Sequence, residues 1–146
     1  FAFRFWKIHR VPFEKTYLTW CIWLSCWCFV IGAILTLVWP EYYAHLLHLS
    51  LIGGFSLLTV LIATRVTLAH GADGKGPEKT WSGIYVFSAL MLVAAVTRAT
   101  AILVPERYLH HLGYAAITWT IGFSIWAFAM IPRMYSGLWS SSVTRK

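Results

Sequence analysis

The sequence predicts an all-α integral membrane protein with four transmembrane helices in an up-down bundle, and three observations support this prediction. Hydrophobic residues make up 59% of the 146 residues, and charged residues make up only 12%. The mean hydropathy is +0.66. Four apolar segments, each long enough to cross a bilayer as a helix, follow one another with short breaks. We therefore expect a single transmembrane domain over residues 1–146.

Stop and turn signals give the expected bounds of the four spans. Prolines follow the first, third and fourth apolar runs, where a helix can end. The second run is followed by the loop GADGKGPEK, whose glycines, proline and charges indicate a solvated turn. An arm precedes the first span and a tail follows the last. The expected order is arm 1–16, spans at about 17–39, 44–69, 81–104 and 109–131, and tail 132–146.

Lysines and arginines concentrate at one set of helix ends, which predicts the orientation. Cytoplasmic segments carry the excess of basic residues, so both termini are expected in the cytoplasm. The arm alternates aromatic and basic residues, and it is either an interfacial segment on the cytoplasmic leaflet or a linker close to the membrane. The basic residues of the arm, the second loop and the tail are Arg4, Lys7, Arg10, Lys15, Lys75, Lys79, Arg133, Arg145 and Lys146.

Composition also excludes some classes of function. The net charge of +7 does not indicate nucleic-acid binding, because most of the positive residues lie at helix ends where the membrane rule places them. The sequence has no phosphate-binding glycine loop, no Ser–His–acid set and no paired carboxylates within a span. No independent catalytic activity is therefore expected. The sequence begins at Phe1 rather than Met, so it can equally be a fragment, a processed chain or a partial sequence.

The second span carries ionisable residues near both of its ends. His48 and His70 are 22 residues apart, with Arg65 between them. In an uninterrupted α-helix this spacing corresponds to about 33 Å, close to the thickness of the hydrocarbon core. At about 100° per residue the two imidazoles would fall within about 40° of one another. Ionisable groups at such depths are costly, so these residues are candidates for function.

Histidines are expected to meet at the outer surface. His45 and His48 begin the second span, and His110 and His111 begin the fourth. Neutral imidazole is a ligand for haem iron, copper and zinc, and two helices that each offer a histidine at one depth can hold such a group. We therefore predict His45, His48, His110 and His111 as metal ligands. The alternative is that these imidazoles are simply hydrated at the interface.

Two arginines interrupt apolar sequence and need partners. Arg65 lies about one turn from the inner end of the second span, and Arg98 lies in the outer third of the third span. No acidic residue lies inside any span. The partner of each arginine could therefore be a haem propionate, a backbone carbonyl or a partner helix. Alternatively, the side chain could snorkel to the surface. Arg98 shares the outer half with the histidines and is the candidate propionate partner.

The pattern H-x16-R-x4-H-G, formed by His48, Arg65, His70 and Gly71 with small residues Gly53 and Gly54 between, resembles the NnrS family. That family consists of membrane proteins that bind haem and copper and are tied to nitric oxide metabolism in bacteria. The resemblance covers most of the chain after about residue 11 and corresponds to the family's four C-terminal helices. It implies a cofactor role for His48, Arg65 and His70. The prediction that His45, His110 and His111 are ligands depends on their depth in the membrane alone.

The expected function is therefore that of a haem- and/or copper-binding membrane protein linked to nitric oxide or redox metabolism. Haem b is the first cofactor expected and copper the second, with His48, His70, Arg65 and Arg98 as the cofactor-binding residues. The expected surroundings are the lipid bilayer of the bacterial inner membrane and other membrane protein chains, without nucleic acid. Two alternatives stay open: a small cytochrome b-like electron-transfer subunit, and a non-catalytic accessory subunit of a larger membrane complex.

Overall fold

The computed structural model describes residues 4, 7–14, 16–70 and 81–143, and for residue 70 and residues 136–143 it describes the backbone alone. The prediction of an all-α membrane fold is confirmed. The described residues form helices and turns with no strand. Four stretches are long and apolar enough to cross a membrane: Tyr17–Val38, Pro40–Ala69, Gly83–Leu103 and Pro105–Tyr135.

The first helix, α1, spans Tyr17–Val38 and begins at a capping box. The Thr16 side chain accepts a hydrogen bond from the backbone N–H of Thr19, and the Thr19 side chain accepts one from the backbone N–H of Thr16. These bonds satisfy two backbone donors that would otherwise be exposed at the membrane surface. Pro40 then stops the helix, because it has no N–H to continue the hydrogen-bond ladder.

The second helix, α2, consists of three consecutive segments: Tyr43–His48, the π-helical segment Leu49–Ser56, and Leu57–His70. The wide turns of the middle segment contain Gly53 and Gly54. The prediction that His48 and His70 share a face assumed an uninterrupted α-helix. Because a π-helical segment lies between these residues, that prediction does not apply to this helix.

The third and fourth helices, α3 and α4, span Gly83–Thr100 and Tyr108–Val143. Between them lie two single turns of 3₁₀-helix, Ala101–Leu103 and Pro105–Arg107. The sequence predicted that the fourth span ends at about residue 131, but the helix continues through Pro132. Pro132 cannot donate to the carbonyl of Phe128, four residues earlier, and the Arg133 guanidinium donates to the neighbouring Ala129 carbonyl at 3.4 Å.

Small residues allow α2 to lie close to α1 and α3. A Cβ atom at Gly54 would lie 2.7 Å from the Cβ of Phe29 on α1, and one at Gly53 would lie 3.2 Å from the Cβ of Ala95 on α3. The Ser50 hydroxyl donates to the Phe29 carbonyl at 2.9 Å. Close approach of this kind is how helices associate in lipid, where apolar surface alone supplies little driving force.

The large buried side chains form one cluster in the half of the bundle where α1 and α3 begin, which we call the packed end. The Trp126 indole N–H of α4 donates to the Thr64 hydroxyl of α2 at 2.7 Å, and Tyr17 of α1 shares a hydrogen bond with Ser88 of α3. The members of the cluster are Leu18, Cys21, Leu57, Val60, Leu61, Leu68, Ile84, Phe87, Met91, Trp126 and Met130.

Candidate functional site

The opposite end of the bundle, which we call the histidine end, consists of residues 39–48 and 98–114. Two turns of matching conformation build it. Trp39 has φ −126° and ψ 74° before Pro40, and Val104 has φ −132° and ψ 72° before Pro105. The sequences Pro-Glu-Tyr-Tyr and Pro-Glu-Arg-Tyr follow these residues and lead directly into α2 and α4. The two turns therefore place His45 and His110 at the same distance from their prolines.

His45 and Arg98 are bonded directly, although they lie on different helices. The Arg98 Nη1–H donates to His45 Nδ1 at 3.0 Å. Because a guanidinium can only donate, Nδ1 is the acceptor, and the proton of the neutral imidazole is on Nε2. The Tyr108 ring of α4 stands edge-on to the His45 ring with centroids 5.5 Å apart, and Arg98 Cζ lies 5.9 Å from the Tyr108 centroid. Three helices thus meet at one half-buried arginine.

His48 has the opposite arrangement of its ring nitrogens. Its Nδ1 is bonded to the backbone carbonyl of Ala44, one turn earlier in α2. Because a carbonyl only accepts, Nδ1 carries the proton and the lone pair of Nε2 is available. Metal-ligating histidines have this arrangement, with the second nitrogen bonded to a carbonyl or a carboxylate that fixes the ring. His48 is therefore in the form of a ligand, whereas His45 is not.

His110 and His111 lie in the first turns of α4 and line a separate cavity of about 270 Å³. Arg107 and Tyr114 complete its lining. The Nδ1 atom of His111 is buried and has no hydrogen-bond partner among the described residues. The cavity is thus lined by four side chains that can donate hydrogen bonds.

The structure brings some predicted ligands together and leaves others apart. His45 joins Arg98, and His110 joins His111, but in the described ranges no three His, Cys, Asp or Glu side chains form a group that could hold a metal ion. The metal site of His45, His48, His110 and His111 therefore stays a prediction that needs further ligands. A larger cavity, of about 430 Å³, is lined by mainly apolar residues of α1, α2 and α3, and neither His45 nor His48 lines it.

Arg65 has a partner that the sequence interpretation missed. Its Nη2 lies 3.3 Å from a carboxylate oxygen of Glu14, which precedes the first span. The sequence offered a cofactor, a backbone carbonyl, a partner helix or the membrane surface for Arg65, and the structure adds this carboxylate, while the cofactor role of Arg65 stays a prediction. The arm also turns back along α1. The Trp23 indole N–H donates to the Ile8 carbonyl at 2.7 Å, and Ile8 is only 3% exposed. The side chain of His70 lies outside the described residues.

The histidine end can now be set beside known proteins. A family model described as NnrS protein matches residues 1–136. The chain belongs to the NnrS family. It is thus a multi-pass membrane protein of a family linked to nitric oxide, and the predicted family resemblance is confirmed. No curated protein and no solved structure matches this NnrS-family chain.

Two contributors to the site have only weak signals in the sequence. Tyr108 looks like an ordinary interfacial tyrosine, and Glu14 lies outside the spans where a partner for Arg65 was sought. The repeated Pro-Glu-x-Tyr was the one signal available, since it predicts that two helices begin with the same geometry. Helix rotation decides which side chains then meet, and a sequence pattern does not fix that rotation.

Proposed function

We propose that this NnrS-family chain binds haem b at its histidine end, with His48 as a ligand of the iron, and acts in nitric oxide metabolism. The observation that supports the proposal is the hydrogen bond from His48 Nδ1 to the Ala44 carbonyl. It leaves Nε2 free, and axial histidines bind haem iron through a free ring nitrogen. His48 lies near one end of a candidate membrane span, and helical bundles hold cofactors with side chains from facing helices.

The residues around His48 fit a haem better than a copper ion. A single imidazole would be enough to hold haem iron, and His48 would be that ligand. Copper takes several protein ligands, and the described residues offer no group of three. Copper at His45, His48, His110 or His111 therefore needs ligands from another part of the protein or from a partner chain.

Arg98 has the chemistry of a propionate partner. One Nη1–H donates to His45, and the guanidinium has further N–H groups. Bidentate bonding to a carboxylate is the strongest use of these donors, and no carboxylate pairs with Arg98 in the part of the chain that the structure describes. Arg98 and His48 would thus act on opposite parts of one haem, the first on its acidic edge and the second on its iron. The bound haem would supply a redox-active iron.

We also propose that the histidine end faces the outside of the bacterial inner membrane. The support is the distribution of basic residues: the only lysine or arginine of the two short connections is Arg107, and nine lie on the arm, the second loop and the tail. A haem at His48 would then lie near the outer surface, where further helices or partner chains could complete its surroundings.

The test is the absorption spectrum of the purified full chain in detergent, before and after reduction with dithionite. We expect a Soret band that shifts on reduction and is lost in His48→Ala. The His48→Gly variant with added imidazole should regain the band, because free imidazole can replace the missing ring. His110→Ala is the matched control and should keep the spectrum unchanged. A folded, colourless wild-type protein after haem supplementation would overturn the proposal, as would equal loss of the band in both alanine variants.

A further inference from the structure

The cavity at the start of α4 has a chemistry that differs from that of a metal site. Its four lining side chains are Arg107, His110, His111 and Tyr114, and no carboxylate lines it. Arg107 is permanently charged, so it repels a metal cation. The described residues contain one ion pair, that of Arg65 with Glu14, so Arg107 has no acidic partner among them.

The donors of this cavity are set for an anion. A guanidinium, two imidazoles and a phenol can all donate hydrogen bonds. The cavity adjoins the first turn of α4, and the dipole of a helix N-terminus adds to the attraction for negative charge.

The size and the place of the cavity narrow the class of ligand. Its volume of about 270 Å³ lies below the range of about 300–1,000 Å³ that is typical of drug-sized ligands. It lies beside a turn between two membrane spans, at the level of lipid headgroups. Leu109, which lies between Arg107 and His110, is 75% exposed and can face acyl chains. A ligand here can therefore be a free ion or the headgroup of a lipid.

We infer that Arg107, His110, His111 and Tyr114 form a binding site for a phosphate-type oxyanion. The guanidinium provides the charge and a bidentate contact, and Tyr114, His110 and His111 provide further donors. The inference does not depend on haem binding, since neither His48 nor Arg98 takes part in the site. It gives His110 and His111 a role that competes with their predicted role as metal ligands.

The test uses the full chain and two phosphate sources. In neutral detergent, we expect millimolar inorganic phosphate to raise the melting temperature of the wild type, and Arg107→Gln to remove at least half of that rise. In nanodiscs that mix phosphatidylglycerol with phosphatidylcholine, native mass spectrometry should find retained phosphatidylglycerol on the wild type and at least fivefold less on Arg107→Gln. Arg10→Gln removes the same charge from an exposed residue of the arm and should behave like the wild type.

Each result has a defined meaning. A response in the first arm alone assigns a free oxyanion, and a response in the second alone assigns a lipid headgroup; both support the site. His111→Ala should weaken whichever response is seen, and Arg107→Lys should keep part of it because the charge remains. The inference is overturned if neither source binds, if Arg107→Gln and Arg10→Gln weaken binding equally, or if Cu²⁺ binds through His110 and His111 while phosphate does not.

Discussion

The packed end and the histidine end of the bundle are built in opposite ways. At the packed end, large side chains such as Phe87, Leu61 and Met130 are completely buried, and buried polar groups such as Thr64 find partners on other helices. At the histidine end the buried hydrophobic residue is the small Ala101, a cavity lies between α1, α2 and α3, and a second cavity lies against the start of α4.

This difference shows how the chain separates stability from function. Close packing of large side chains has a single arrangement and holds the helices together. The ionisable residues Arg98, His45 and His48 lie where packing is looser, so they retain donors and acceptors that a ligand can use. A site for a cofactor is expected to be the less stable part of a fold.

The largest expected effect comes from removing a ring at the packed end. Phe87 is 0% exposed, and Phe87→Ala should lower the free energy of unfolding by about 2–4 kcal/mol, because the bundle cannot fill the space left. Reversible unfolding of the full chain in mixed micelles measures this loss. Phe128 is 83% exposed, and Phe128→Ala should change the free energy by less than about 0.5 kcal/mol. Equal losses would show that the packed end is no better packed than the lipid-facing surface.

Alanine substitutions at Gly54 and Gly113 compare the close contact between α2 and α1 with the looser packing at the histidine end. Gly54→Ala puts a Cβ against the Phe29 backbone and should cost about 1–3 kcal/mol. Gly113 has open space where a Cβ would lie, so Gly113→Ala should be neutral or stabilise the helix by about 0.5–1 kcal/mol. Thermal unfolding of the two variants in one detergent gives the comparison. A destabilising Gly113→Ala would mean that the histidine end is packed after all.

The smallest expected effect concerns the arm. Arg65 and Glu14 have side chains that are 47% and 61% exposed, so their ion pair should contribute about 0–1 kcal/mol. A double-mutant cycle with Glu14→Gln and Arg65→Gln, followed by thermal unfolding at low and high salt, isolates that interaction. We expect a coupling that weakens as salt rises. A coupling above about 2 kcal/mol would show that this pair belongs to the packed end rather than to its periphery.

Much of the fold could be predicted from the sequence, because membrane spans follow from length and apolar composition. The four spans are such a case, and the prolines at 40 and 105 correctly end the helices before them. Pro132 did not end its helix, because prolines are tolerated inside membrane helices when other groups or small local adjustments satisfy the backbone carbonyl that the proline cannot bond. The π-helical turns around Gly53 and Gly54 were not predictable from hydropathy, which does not distinguish between types of helix.

The sequence predicted which residues lie at the candidate site, but not which of them bond to residues of another helix. By itself the sequence determined that His45, His48, Arg98, His110 and His111 lie at one end of the bundle, because span length and turn position fix their depth. Helical spacing alone already puts Arg107, His110 and His111 on one face at the start of α4, and the bond from His48 to Ala44 likewise lies within a single helix. Only the tertiary structure decided that Arg98 of α3 bonds His45 of α2 beside Tyr108 of α4. The reason is physical: depth follows from the position along a helix, whereas contact depends on how each helix is rotated against its neighbours.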